Sequence, residues 1–328
     1  LQSDMLEITL RRLGGQIEQA RRRGEHLLRR ARAVGDPTLL AETLHALASC
    51  IARMGELDLA LTLMDEAMTI ARETRLRSYP SMCKDVCFIH IRQGEHDKCR
   101  ERGRELIFSG EALGDTTHVA MGYGMLAIAA RQAGQPGDAE FYLREARLRF
   151  EQEGNRSGIA GVWSTLGELK RAAGDLVGAT EAYTEAMHRF DACGNAAGCY
   201  SRMNLAVILT TTGQDADANA RLVEVRKEAT RFGDSTLLLA LHVIRLPSLA
   251  SLEEWTTFEL ELAEAEAKLP EMGLVDVDIA QLSQLAAERS QQRHQPALAQ
   301  RCWTIAHTQW TALKREAEAA HAAAQLAT

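Results

Sequence analysis

The chain has 328 residues, 46% hydrophobic and 25% charged, with six prolines and a formal net charge of −7. It holds no apolar run of about eighteen residues, which excludes a membrane-spanning helix, and its acidic balance argues against a protein dedicated to nucleic acid. Seven cysteines, odd in number and without regular spacing, point to reduced thiols and a cytoplasmic protein. No charged-then-apolar leader marks secretion, and a start at Leu1-Gln2-Ser3 rather than Met suggests a piece of a longer chain.

From the N-terminus onward the chain is a ladder. Turn glycines at Gly15, Gly55, Gly94, Gly134, Gly174 and Gly213 stand 40, 39, 40, 40 and 39 residues apart. Five residues after each comes a small side chain: Ala20, Ala60, Cys99, Ala139, Ala179 and Ala218. About twenty residues after each comes a second break: Gly35-Asp36, Gly114-Asp115, Gly154-Asn155, Gly194-Asn195 and Gly233-Asp234, with Arg75 alone out of line. A period of roughly 20–50 residues kept over six rounds marks a stacked repeat array.

Each period predicts two helices. In the fifth, Ile159, Val162, Trp163, Leu166 and Leu169 fall at helical spacing before Gly174, and Ala179, Ala182, Tyr183, Ala186 and Phe190 form a second stripe before Gly194. The glycine ends a helix because it tolerates the left-handed conformation of a C-terminal cap. The Asp or Asn behind a break caps the next helix by accepting a free amide hydrogen bond. The small residue lets two helices joined by a short turn approach closely.

These offsets resemble the tetratricopeptide repeat, in which Trp163, Leu166, Gly167, Gly174, Ala179, Tyr183 and Ala186 would be signature positions. The resemblance covers about residues 1–235, with a period longer than the usual 34 or so, as in bacterial signalling regulators. It implies an all-α fold, a right-handed α-solenoid of antiparallel helix pairs with about eight repeats. One array is expected over 1–328: regular repeats over about 1–235, an irregular repeat over about 236–273, and a final repeat with a capping helix over about 274–328.

Beyond Gly233 the ladder loosens. The turn expected near 253 reads Glu253-Glu254-Trp255, Phe258 takes the small-residue place, and Pro247 should end or kink its helix. The register returns at Gly273, with His294 at the next glycine place and Ala299 and Ala306 after it. From Pro296 no breaker occurs, so a single last helix is expected, with Trp303 and Trp310 on one face and the alanine-rich 317–327 as a linker stub or frayed end.

Few residues form a pattern that carries chemistry. Cys83, Cys87 and His90 lie at i, i+4 and i+7, with His96 and Cys99 following, a spacing that suits zinc. The register instead places the three cysteines at packing positions, where cysteine behaves as a small hydrophobe, so no metal and no cofactor is expected. Gly122-Tyr123-Gly124 lies mid-helix without a phosphate-loop lysine. No nucleophile, base and orienter set is recognisable, and no enzyme activity is expected of the chain. Arg21-Arg22-Arg23 with Arg29, Arg30 and Arg32 contrasts with Glu253, Glu254, Glu259, Glu261, Glu264 and Glu266. Such runs are read as solvated faces, or as ends that dock on each other or on adjoining domains.

The family resemblance implies that the first helix of each repeat lines a concave groove. Arg12, Arg53, Arg92, Arg131 and Arg171 then recur two or three places before the turn glycine, and His45 and Lys84 lie ten before theirs. Phe88, Ile91, Met121, Ile128, Tyr200 and Met203 interleave with them. The expectation is a basic, apolar-stepped groove for an acidic or amphipathic protein or peptide segment, the alternative being an arginine stripe paired with neighbouring glutamates.

The C-terminal segment 276–313 is similar to the end of the repeat region that follows the kinase domain in large bacterial serine/threonine protein kinases. It implies a scaffold or regulatory arm of a signalling enzyme, with an adjoining catalytic domain outside the chain. The alternatives are a receptor for a signalling peptide or small molecule, or the sensory arm of a cyclic-dinucleotide synthase.

Overall fold

In the computed structural model, residues 17–327 are described, and every regular element among them is a helix. Helix α1, Ile17–Val34, is followed by the pairs α2, Pro37–Arg53, with α3, Leu57–Glu73, and α4, Tyr79–Arg92, with α5, His96–Leu113. Next come α6, Thr116–Gln132, with α7, Pro136–Gln152, and α8, Arg156–Ala172, with α9, Leu176–Ala192. The pair α10, Gly198–Thr211, and α11, Asp215–Phe232, opens the remainder. The chain packs as two compact units divided after Gly198.

The turns are built as the ladder predicts. Gly55, Gly94, Gly134, Gly174 and Gly213 all have positive φ. After Gly94 and Gly174 the next amide reaches back to close the helix, Glu95 N–H to His90 O at 2.9 Å and Asp175 N–H to Lys170 O at 2.9 Å, a C-terminal cap geometry. Asp36, Asp115, Asn155, Asp175 and Asp234 each accept a first-turn amide through their side chains.

At the places where the ladder has no glycine, the backbone turns all the same. Arg75, Glu253, His294 and Lys314 adopt φ of 54, 57, 59 and 58°. A non-glycine residue there is strained by about 1–2 kcal/mol. Arg75 is exposed, so Arg75→Gly is expected to stabilise the fold by about 0.5–1 kcal/mol net of the glycine's chain entropy. A rise in thermal midpoint measures it, and an unchanged or lowered midpoint counts against strain at Arg75.

The signature positions hold each pair together. Tyr183 is fully buried and its ring lies over Gly167, where a Cβ would come within 2.6 Å of Cδ1. The first unit buries Leu44, Met64, Met82 and Leu106 in one cluster and Leu143, Phe150 and Val162 in another.

The irregular repeat splits at Pro247 into α12, Ser235–Ile244, and α13, Leu246–Ser251, facing α14, Trp255–Met272. Phe258, buried completely, fills the space left there. The last pair is α15, Val277–Gln292, with α16, Pro296–Ala312.

The end differs from the expectation of a single last helix. The chain turns at Lys314 and forms α17, Glu316–Leu326, which buries Ala322 and packs on α16. The 317–327 stretch is a helix with a partner, because the backbone accepts the left-handed turn at a lysine once α17 has Trp303 to pack against.

Candidate functional site

In the first unit, α2, α4, α6 and α8 carry the residues expected to face a groove. The places three, six, ten and thirteen before the turn glycine fall on one helical face. On α6 they are Arg131, Ile128, Gly124 and Met121, and on α8 Arg171, Glu168, Ser164 and Gly161. Phe88 on α4 is 46% exposed, while Ile91, Met121 and Ile128 are half-buried and touch the core. Arg12 lies outside the described residues. Tyr200 and Met203 belong to the second unit, where the Tyr200 hydroxyl donates to Asp234 at 2.7 Å.

The basic residues of this face are tied into the scaffold. Arg92 donates through Nη1 to the carbonyl of Ala52 at 2.6 Å, adding to the Gly55 amide that closes the C-terminal turn of α2 on that oxygen; burial pushes its guanidinium pKa down. Arg131 pairs with Glu168 of α8 at 3.0 Å. The Arg171 Nε lies 3.5 Å from the Tyr183 hydroxyl, and Arg53 is exposed. His45 and Lys84 flank Asp85, at 2.9 and 3.0 Å, and the Ser49 hydroxyl adds a third bond at 3.0 Å. Burial opposes ionisation of Asp85, but the bonds from His45 and Lys84 outweigh it and hold the carboxyl well below its usual range.

The stripe is therefore not uniformly basic. Asp85 offsets the charge of Lys84 and bonds His45, and Arg92 and Arg131 join one repeat to the next. Charge reversal there would break scaffold bonds as well as any ligand contact.

Two glycines on this face have no packing reason. A Cβ built on Gly124 or Gly161 meets nothing within 4 Å, whereas one on Gly122 would lie 2.5 Å from Ile107 and one on Gly158 2.4 Å from Phe150. Each stands inside a helix, where glycine costs about 0.5–1 kcal/mol relative to alanine. Both lie on the corresponding face of the first helices of adjacent repeats, and both are half-buried.

The cysteine cluster packs. Cys83, Cys87 and Cys99 are fully buried; burial pushes the Cys83 thiol up to about 12, and the Cys87 thiol donates to the Cys99 carbonyl at 3.7 Å. His90 is held by Glu95 at 2.8 Å. Among the described residues no group of three or more such side chains is placed to hold a metal ion, and no helix is long and apolar enough to cross a membrane. Members of the charge runs pair within a helix, as Arg21 with Glu25, or with a neighbouring repeat, as Arg32 with Glu66 and Glu266 with Arg301.

One juxtaposition was hidden in the sequence. Ser81 and His118, 37 residues apart, meet across α4 and α6, and no spacing motif links them.

No protein-family model and no curated protein matches the chain. Solved structures do. A Rap protein complexed with competence and sporulation factor superposes with a TM-score of 0.74 at 14% identity, covering 95% of this chain and 86% of that one. The Rap conjugation gene regulator of plasmid pLS20, in complex with the Phr* peptide, gives 0.66 at 14% identity over 86% and 77%. The apo quorum sensor NprR from B. thuringiensis gives 0.62 at 11% identity over 93% and 85%. The chain shares their fold, an α-solenoid of tetratricopeptide-like helix pairs.

Proposed function

We propose that this chain is a peptide-binding scaffold of a signalling system, holding an extended peptide against the faces of α4, α6 and α8. The observation that carries the reading is the pair Gly124 and Gly161. Helix-weakening glycines with open space above them suit the close approach of a ligand main chain. The structures of similar fold add support, since two of them are complexes with a factor or a peptide and a third is a quorum sensor.

The chemistry of the face suits an amphipathic peptide. Phe88, Met121 and Ile128 supply apolar steps, and Arg53 and Arg171 supply positive charge around them. A cytoplasmic location accords with this reading. Attachment to a kinase or other catalytic domain rests on the sequence similarity of 276–313 alone.

The test uses a display library of random hexapeptides selected against the 328-residue chain. Gly124→Ala and Gly161→Ala are each expected to raise stability by about 0.5–1 kcal/mol while weakening the selected peptides tenfold or more. Alanine variants that are stabler and bind equally well would exclude this face as the site, and a library that yields no binder would exclude the function.

A further inference from the structure

The first unit holds a chain of hydrogen bonds that joins a hydroxyl, an imidazole and a carboxylate. Ser81 is the third residue of α4, on the groove-facing side thirteen places before Gly94. Its Oγ lies 3.0 Å from Nε2 of His118, the third residue of α6. The other ring nitrogen, Nδ1, lies 2.7 Å from Oδ2 of Asp115. Nδ1–H donating to the carboxylate leaves Nε2 free to accept the serine proton, as a general base must.

Asp115 does not depend on the imidazole for its position. It is the N-cap of α6, and its Oδ1 accepts the main-chain N–H of His118 at 3.0 Å. Burial opposes its ionisation, but the main-chain and side-chain bonds from His118 prevail and lower its pKa, so a negative charge faces Nδ1. The His118 side chain is 20% exposed and Ser81 half-buried, so both can be reached from outside.

A hydrogen-bond donor for developing negative charge stands beside the hydroxyl. First-turn amides of a helix have no intrahelical acceptor, and the N-cap of α4, Ser78, makes no side-chain cap bond, because its hydroxyl is turned to Glu42. The Ser81 N–H therefore lies at the positive end of α4 next to its own Oγ.

Packing alone does not require an imidazole here. Two repeats on, at the start of α8 and the turn before α10, Asn195 donates to the Ser157 hydroxyl at 2.6 Å. An amide suffices there to bridge two helices, and it takes no proton.

We propose that Ser81, His118 and Asp115 form an acyl-transfer site that hydrolyses activated carboxylic esters. Ser81 Oγ adds to the ester carbonyl carbon as its proton passes to His118 Nε2. The tetrahedral oxyanion collapses, the bond to the alcohol oxygen breaks, and that oxygen takes the proton from Nε2. Water then adds to the acyl-serine carbonyl, giving a proton to Nε2. Collapse breaks the bond to Ser81 Oγ, which recovers the proton, and the carboxylic acid leaves. Ester and water become acid and alcohol, with nothing oxidised or reduced. A single main-chain donor for the oxyanion suits an ester with a good leaving group rather than an amide. Ser81 and His118 are the catalytic residues and Asp115 a positioning residue. The activity goes beyond peptide binding and does not rest on it.

The experiment uses the 328-residue chain, a fluorophosphonate and 4-nitrophenyl acetate. Mass spectrometry is expected to find a single phosphonate adduct on Ser81, and nitrophenolate release is expected to exceed that in buffer. Ser81→Ala should remove both. His118→Gln, which keeps a hydrogen-bonding partner for Ser81, should slow labelling at least about a hundredfold. Asp115→Asn, an equally good N-cap, should slow it with the thermal midpoint unchanged. A wild-type chain that is unlabelled at Ser81, or a folded His118→Gln chain labelled at the wild-type rate, overturns the proposal.

Discussion

Glu261→Ala is expected to destabilise the second unit by about 3–5 kcal/mol. Glu261 is 6% exposed and Arg245 7%. The carboxylate receives Arg245, Arg226 at 2.7 Å and His242 at 2.6 Å, while Arg245 also donates twice to the Asn219 side chain at 3.1 Å. Removing the carboxylate leaves a buried guanidinium without its counter-charge, which is where the cost lies. Simultaneous replacement of Glu261 and Arg245 by apolar residues should cost less than the single change.

The same cluster sets a pH dependence. Burial raises the pKa of Glu261, but the bonds from His242 and Arg226 prevail and the folded-state pKa falls below the ordinary 4.5. The unfolded chain then binds the proton more readily than the folded one. The stability that Glu261 contributes is therefore complete above about pH 4.5 and is lost as pH falls through the folded pKa. Urea unfolding of the wild type and Glu261→Gln across this range measures it. A Glu261→Ala loss below about 1 kcal/mol, or identical acid limbs for wild type and Gln, would remove the cluster from the unit's stability.

Trp303→Ala is expected to cost about 3–5 kcal/mol and to free α17. Trp303 is 1% exposed, and its ring meets His321 of α17 edge-on at 5.6 Å between centroids. Without the indole, α17 keeps Ala319, Ala322 and Leu326 against the core and loses its large aromatic partner. Hydrogen exchange over 316–326 should rise towards that of a free peptide. Full protection there in the variant would mean that α17 is held by something other than Trp303.

The helix pairs were legible because their determinants are local. Gly94 and Gly174 cap a helix through their own backbone freedom, and Ala179 and Tyr183 pack on the helix just before them. The register also read the cysteines correctly as packing residues, since Cys83, Cys87 and Cys99 occupy inward places in that ladder. Glycine spacing failed at Arg75 and Lys314, where packing of the flanking helices imposes the left-handed turn on a residue with no such preference.

The bonding of the arginines on α2, α4, α6 and α8 was not legible. A one-dimensional pattern places Arg92 and Arg131 just before their turn glycines, yet whether a guanidinium reaches solvent depends on a carbonyl or carboxylate one repeat away. In the same way it read Gly122 and Gly124 as one motif, although the first lies against Ile107 and the second has open space above it.

The sequence by itself determined the repeat, its period, its caps and its inward stripes, because each depends on residues within one turn or one helix pair. The tertiary structure alone decided which polar groups meet across repeats. Ser81 with His118, Arg92 with Ala52 and Glu261 with Arg226 are set by how neighbouring helices stack, and the spacing of residues along a chain does not encode that distance.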